Sequence, residues 1–348
     1  MFRKRIPIYY VLISMIVFPA ATYFTMQRWL DDADKQAVSE AATTAAAEDL
    51  QCEQNVKRLT GYSKIGPLAE SAKACETESL LPLKMTLTAY IADQQQSGNI
   101  ISASVFLRRM ADNSWININP EHVYHPASLL KVPEMITFLK KAETEPGLLE
   151  QKVLFKAPYR DLPTQYYSAK TLQPGHSYTI KELFHFMIVY SDNNANVELF
   201  ARMDLAQFSS MYRAMHLTVP NMTDYSYQVG PKDYSRFLEL LFNASYLSPQ
   251  ASEFAAELLT ETTFKDGLVK RIPKNTIVAH KMGEWGDGIT VELHDCGIIY
   301  LANNPYILSV MTRGTDMQHL SDVIANISQM SYEVMSSPSF NSPALATQ

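Results

Sequence analysis

Ser128 and Lys131 form an S-x-x-K pair. Residues three apart on a helix share a face, so this spacing predicts that the lysine amine lies beside the serine hydroxyl. The preceding Pro126 and Ala127 place Ser128 in the first turn of a helix, where unpaired backbone N–H groups and the helix dipole favour developing negative charge. A serine becomes a strong nucleophile when a base takes its proton, and a lysine that is partly buried near other cations can be that base. The alternative is a surface serine and a solvated lysine.

Ser191, Asp192 and Asn193 follow a predicted helix over 178–189. In the loop that leaves this helix, Ser191 can pass a proton to a leaving group and Asn193 can hydrogen-bond an amide of a substrate. Asp192 is expected to bond the local backbone and hold the turn. The alternative is a plain turn of small polar residues.

Lys281, Met282 and Gly283 end the strand-like run 277–280. The glycine allows a substrate to approach the strand closely, and Lys281 adds positive charge near the two serines. The backbone N–H of Glu284 can join that of Ser128 as an oxyanion hole. The alternative is a strand end with a surface lysine.

The periodicity of apolar residues predicts an α+β chain that positions these three motifs. Strands are predicted at 101–108, 115–118, 276–281, 297–301 and 307–312, and helices at 128–141, 178–189, 232–242 and 254–260. Turns are predicted at 284–288 and 303–305. One antiparallel sheet can gather the strands from both ends of the chain, with a helical cluster beside it.

Taken together and in this order, the three motifs are similar to the S-x-x-K, S-D-N and K-T-G signature of class A β-lactamases and penicillin-binding proteins. The resemblance covers residues 86–335 and implies a β-lactamase/transpeptidase-like fold, with a five-stranded antiparallel sheet packed by helices, an all-helical lobe, and the site between them. It implies no cofactor or metal. The implied catalytic residues are Ser128, Lys131, Ser191 and Lys281, and the implied substrate-binding residues are Asn193, Gly283 and Glu284.

One departure from the family concerns deacylation. Class A β-lactamases carry a deacylating glutamate on the loop after S-D-N, but this chain has no glutamate between Glu198 and Glu239. Asp224 is the only plausible substitute. Without such a base the acyl-enzyme would hydrolyse slowly, as in penicillin-binding proteins.

A second departure concerns recognition of a substrate carboxylate. Met282 stands where the family usually has a threonine or serine, and Cys296 stands where some members carry an arginine. Lys281, His280 or Arg271 could compensate for the missing groups. Three functions remain open on this basis: a β-lactamase-like hydrolase of an amide or ester, a penicillin-binding DD-peptidase-like protein with slow deacylation, and a non-catalytic binding module.

The N-terminus predicts a membrane anchor. Arg3, Lys4 and Arg5 precede the uncharged apolar run 6–26, which is long enough to cross a bilayer, with the N-terminus in the cytoplasm. A cleaved secretory signal is the alternative. We therefore predict an anchor over 1–30, a polar stalk and helical extension over 31–85, an extracytoplasmic catalytic domain over 86–335 and a disordered tail over 336–348.

The predicted partners are a small-molecule or peptidoglycan-type substrate and the membrane. A net charge of −6 gives no basic surface for nucleic acid. In an oxidising compartment Cys52 and Cys75 could form a local disulfide, or they could be unrelated thiols.

Overall fold

The computed structural model describes residues 56–58, 62–66, 68–71, 78–160, 162–167, 169–221, 226–302 and 304–341. The chain divides into two units, 1–53 and 54–348, and every described residue belongs to the second unit. The predicted anchor and the Cys52–Cys75 pairing therefore lie outside the described residues. Among the described residues, no helix combines the length and the apolar character needed to span a bilayer.

The described residues form strands and helices in the predicted α+β arrangement. The strands are β1 (Val56–Arg58), β2 (Leu68–Ser71), β3 (Ser102–Arg109), β4 (Trp115–Ile118), β5 (Lys152–Leu154), β6 (Ser177–Thr179), β7 (Ile277–Gly286), β8 (Val291–Tyr300) and β9 (Tyr306–Gly314). The α-helices are α1 (Leu81–Gln96), α2 (Lys131–Ala142), α3 (Ile180–Val189), α4 (Asn193–Phe200), α5 (Leu205–Ala214), α6 (Pro231–Asn243), α7 (Pro249–Thr260), α8 (Met317–Met335) and α9 (Pro338–Asn341).

The main sheet of the described chain has five antiparallel strands in the order β4-β3-β9-β8-β7. Strands from the two ends of the chain meet at the β3–β9 pair, where Val105 lies opposite Val310. The prediction that one sheet gathers both sets of strands is therefore confirmed. In this order β7, which carries the Lys-Met-Gly motif, lies at one edge of the sheet.

Apolar side chains cover both faces of this sheet. On one face α1 and α8 pack against β3, β8 and β9 through a buried cluster that includes Leu87, Val310 and Ile324. On the other face the helices α2, α3, α5, α6 and α7 form a second cluster that includes Phe184 and Phe237. Burial on this scale excludes water from the packed interfaces between the sheet and the helices on each of its faces.

Helix α3 begins after Thr179, which caps it. The Thr179 hydroxyl accepts the backbone N–H of Glu182, and the Glu182 carboxylate accepts the Thr179 N–H. This reciprocal capping box satisfies two N–H groups that would otherwise be unpaired. It fixes where α3 begins, and the Ser191 loop follows the other end of this helix.

The structure differs from the sequence-based elements in several places. Within 51–80, predicted to be helical, the described residues contain the antiparallel pair β1–β2 and only a 3₁₀ turn, Glu78–Leu80. Helix α1 crosses the predicted boundary at residue 85 because Leu83 and Leu87 already belong to the core. The turn predicted at 284–288 is shorter, since β7 continues to Gly286. The tail predicted from 336 begins with α9.

Candidate active site

Ser128 lies in a 3₁₀ turn, Ala127–Leu130, that leads directly into α2. Ala127 has a φ of 47°, an unfavourable left-handed conformation for a residue with a Cβ atom. Gly283 on β7 packs against this turn. A Cβ atom at Gly283 would lie 2.5 Å from the Pro126 carbonyl oxygen, so only glycine permits this approach. The structure thus brings the Lys-Met-Gly strand directly against the turn that carries Ser128.

A buried polar network supports the segment that enters this turn. Glu292 is fully buried and accepts the backbone N–H of His125 at 2.8 Å and the Arg313 guanidinium at 2.7 Å. Burial by itself raises the pKa of Glu292, but hydrogen bonds and charge from His294 and Arg313 outweigh it and hold that pKa below its usual value. The network fixes the backbone three residues before Ser128.

The Ser191-Asp192-Asn193 loop connects α3 to α4. Ser191 has a φ of 56°, also left-handed. The Asp192 carboxylate accepts the Ala195 N–H at 2.6 Å and caps α4, which confirms its predicted role in holding the turn. This strained loop directs the Ser191 hydroxyl toward the sheet.

Two buried lysines converge on the Ser191 hydroxyl. Lys281 Nζ lies 2.8 Å from Ser191 Oγ, and Lys131 Nζ lies 3.3 Å from the same atom. Lys131 also donates to the Ser191 carbonyl and to Asn193 Oδ1, both at 2.7 Å. Residues far apart in sequence, from α2, the loop and β7, therefore form one hydrogen-bonded cluster.

Burial changes the proton affinity of both amines. Burial lowers the pKa of Lys131 to about 8, although the negative charges of Glu134, Asp192 and Glu284 act against it. Burial and the positive charge of Lys131 lower the pKa of Lys281 well below its usual value. Near neutral pH a neutral amine is therefore accessible at this site, and a neutral amine can accept a proton.

The Ser128 hydroxyl is half-buried at the end of this cluster. The sequence predicts the Lys131 amine beside it, but the hydrogen bonds of that amine go to the Ser191 loop instead. In the described part of the chain Ser128 Oγ has no hydrogen-bond partner. Catalytic hydrogen bonds are often loose without substrate, so a rotation of the lysine side chain from Ser191 toward Ser128 is compatible with this geometry.

Segment 162–167 contacts both the Ser191 loop and Glu284 on β7. The Gln165 side chain donates to the Ser191 carbonyl at 3.0 Å, and the Tyr167 N–H donates to the Glu284 carboxylate at 3.1 Å. The Asn193 amide also lies 3.5 Å from the Pro163 carbonyl oxygen. A substrate carbonyl that takes this N–H of the Asn193 amide competes with Pro163 for it. No motif in the sequence of this segment predicts its position.

A cleft of about 180 Å³ opens beside Ser191 and Lys281. Lys265 lies in its wall and donates to the Thr262 carbonyl at 2.6 Å. Of the three residues suggested from sequence to replace the missing groups, only Lys281 lines this cleft. His280 is buried against Asp295, and Arg271 pairs with Asp322.

Two residues of the altered motifs have packing roles. Met282 belongs to the buried cluster on the α1–α8 side of the sheet, although it also borders the cleft. Cys296 is fully buried in the cluster on the opposite face, as expected if it fills volume in β8. Asp224, suggested as a deacylating base, lies outside the described residues.

One carboxylate near the lysines was not predicted from the sequence. Glu134 lies three residues after Lys131 in α2, is 6% exposed, and accepts a hydrogen bond from the Asn196 side chain. It was overlooked because its sequence neighbours are apolar. The sequence nevertheless contained a signal, since a spacing of three residues separates Ser128 from Lys131 and Lys131 from Glu134.

The fold and this cluster define an active-site serine hydrolase of the class A β-lactamase and penicillin-binding-protein type. The sequence profile of the beta-lactamase enzyme family matches residues 82–335, and the chain belongs to that family. The chain is 27% identical to β-lactamase VEB-1 of Pseudomonas aeruginosa over 213 residues, which are 55% of this chain and 70% of that protein.

Solved structures share the fold at lower identity. PBP-A is 22% identical, with a TM-score of 0.62 over 76% of this chain and 99% of PBP-A. The TLA-3 extended-spectrum β-lactamase is 20% identical, with a TM-score of 0.63 over 73% of this chain and 99% of that structure. These likenesses confirm the predicted five-stranded sheet packed by helices.

Proposed function

We propose that this protein hydrolyses an amide or ester through an acyl-enzyme on Ser128, with a β-lactam or a cell-wall peptide as substrate. The observation that carries this proposal is the position of Ser191 Oγ between the amines of Lys131 and Lys281, at 3.3 and 2.8 Å. Two buried amines joined through a hydroxyl provide both a proton acceptor for the nucleophile and a proton donor for the leaving group.

The proton movements follow from this arrangement. Neutral Lys131 takes the proton of Ser128 as Ser128 Oγ bonds to the substrate carbonyl carbon. The resulting oxyanion is stabilised by the backbone N–H groups of Ser128 and Glu284. As the carbon–nitrogen bond breaks, Ser191 gives its proton to the leaving nitrogen and is reprotonated by a neighbouring lysine ammonium. The acyl group then remains on Ser128 until water hydrolyses it.

The charge around the cleft supports a substrate with an anionic group. Lys265 lies in the cleft wall and Lys281 at its base, so two lysine side chains border the space beside Ser191. Lys265 supplies a hydrogen-bond donor in place of the hydroxyl that Met282 lacks. Both a β-lactam carboxylate and the C-terminal carboxylate of a cell-wall peptide satisfy this requirement.

A penicillin-binding protein with slow deacylation is the second candidate. The observation that favours it is the absence of any glutamate between Glu198 and Glu239 in the sequence. Without a positioned base the water that attacks the acyl group is not activated, so the adduct accumulates.

Penicillin G tests the proposal and separates the two candidates. We expect intact-mass spectrometry to show a stoichiometric gain of one penicillin mass, because ring opening expels no fragment. An adduct that disappears within seconds, with nitrocefin hydrolysis, supports the β-lactamase. A persistent adduct supports the penicillin-binding protein. If neither penicillin nor a fluorophosphonate labels the protein, the fold serves as a binding module and the proposal is wrong.

We also propose that residues 1–30 anchor the protein in the cell membrane with the catalytic domain outside the cytoplasm. The uncharged run 6–26 after Arg3, Lys4 and Arg5 supports this proposal. We expect the full chain to sediment with membranes after a carbonate wash and to be digested by protease added to intact spheroplasts. Release of a chain lacking its first residues into the soluble fraction would instead indicate a cleaved signal.

A further inference from the structure

Two side-chain hydrogen bonds join α2 to α4. Lys131 donates to Asn193, and three residues further along both helices Asn196 donates to Glu134. The equal spacing places the second pair directly behind the first on the same helix faces. Glu134 therefore lies on the same face of α2 as Lys131, three residues further from Ser128, and its charge acts on the amine that the proposed mechanism requires as a base.

A carboxylate at position 134 lowers the stability of the folded protein. Its neighbours Val132, Met135 and Ile136 are fully buried, and its carboxylate has one hydrogen-bond donor among the described residues. A buried carboxylate with so few partners costs stability, and a leucine would fill the same space without that cost. Packing therefore does not explain why this residue is acidic. The nearby amine of Lys131 does explain it.

The charged groups around Lys131 come from three elements. Glu134 shares its helix, Asp192 lies in the loop, and Lys281 and Glu284 lie on β7. Glu134 is the largest of the charges that favour the ammonium form of Lys131. Burial in turn raises the pKa of Glu134 to about 7, although Lys131 and Asn196 act to lower it. On the lobe side Glu134 also faces Tyr212.

We propose that Glu134 is a positioning residue for Lys131: held by Asn196, its carboxylate places a negative charge behind the lysine amine and so sets the pH at which that amine becomes a base. This inference rests on the proposed function, in which neutral Lys131 accepts the proton of Ser128. Removing the charge makes the ammonium form less stable. Lys131 then becomes neutral at lower pH, and acylation begins at lower pH.

The variant Glu134→Gln removes the charge and keeps an oxygen for Asn196. We expect the pKa of Lys131, followed by NMR of ¹³C-labelled lysine and assigned with Lys131→Arg, to fall by about one unit or more. The pH at which the rate of penicillin acylation begins to rise should fall by the same amount. Glu134→Asp keeps the negative charge, so its acylation rate should begin to rise at a pH close to that of the wild type. Glu134→Leu provides a second neutral variant if the glutamine variant does not fold.

Glu239→Gln is the matched control, since Glu239 is a half-buried carboxylate that pairs with Arg108 and not with Lys131 or Lys281. It should leave the pKa of Lys131 unchanged. An unchanged pKa in Glu134→Gln with only a lower melting temperature would show a structural role and overturn the proposal. Loss of acylation at every pH with an unchanged pKa would do the same, because Glu134 would then transfer protons directly. Because the NMR titration needs no activity, a pKa shift in a protein that never acylates would separate this inference from the proposed function.

Discussion

Replacing Ser128 with alanine is expected to abolish covalent labelling by penicillin. The acyl group can be held only by an oxygen that attacks the carbonyl carbon, and the Ser191 hydroxyl is already bound by two lysines. Turnover of any substrate should fall by several orders of magnitude, to the level that binding and the oxyanion hole support without a nucleophile. Intact-mass spectrometry after penicillin exposure measures the first effect, and hydrolysis of nitrocefin measures the second.

The alanine variant should remain folded, because Ser128 Oγ has no hydrogen-bond partner in the described chain and its loss leaves no buried group unpaired. Ser245→Ala, at an exposed serine outside the cleft, is the matched control and should label like the wild type. Equal labelling of Ser128→Ala and the wild type would mean that another residue is the nucleophile, and the mechanism given above would then be wrong.

Replacing Lys131 with alanine is expected to slow acylation by about 10²–10⁴-fold, the range that a positioned general base contributes. In the wild type the rate should rise with pH through the pKa of Lys131, about 8, because only the neutral amine accepts the proton of Ser128. The variant should lose this rise and show a nearly flat profile. Stopped-flow acylation by a chromogenic cephalosporin between about pH 6 and 10 gives both quantities.

Lys274→Ala, which removes an exposed lysine, should keep the rate and the pH profile of the wild type. Thermal unfolding of Lys131→Ala shows whether a loss of rate comes from a damaged fold, since the variant leaves Glu134 without its opposite charge. If Lys131→Ala is slow but its acylation rate still rises near pH 8, another group must be the one whose deprotonation controls the rate. Lys281 is then the first candidate.

Elements with clear periodicity were predicted well. The apolar spacing of α3 buries one consistent face, so local pattern and tertiary environment agree. β3 was also located correctly, although residues 102–107 are buried on both faces of the sheet. The start of β8 was missed for the opposite reason. Glu292, His294 and Asp295 look like turn residues, but all three are fully buried and are satisfied by partners elsewhere in the chain.

The sequence by itself determined the three motifs, their order and the elements that carry them, because S-x-x-K spacing and a helix cap are local properties. Only the tertiary structure decided how the site is connected. Lys131 bonds the Ser191 loop rather than Ser128, segment 162–167 contacts the same loop, and Asn196 holds Glu134. These contacts join residues 26 to 62 positions apart, and they depend on how the helical lobe packs against the sheet rather than on any local pattern.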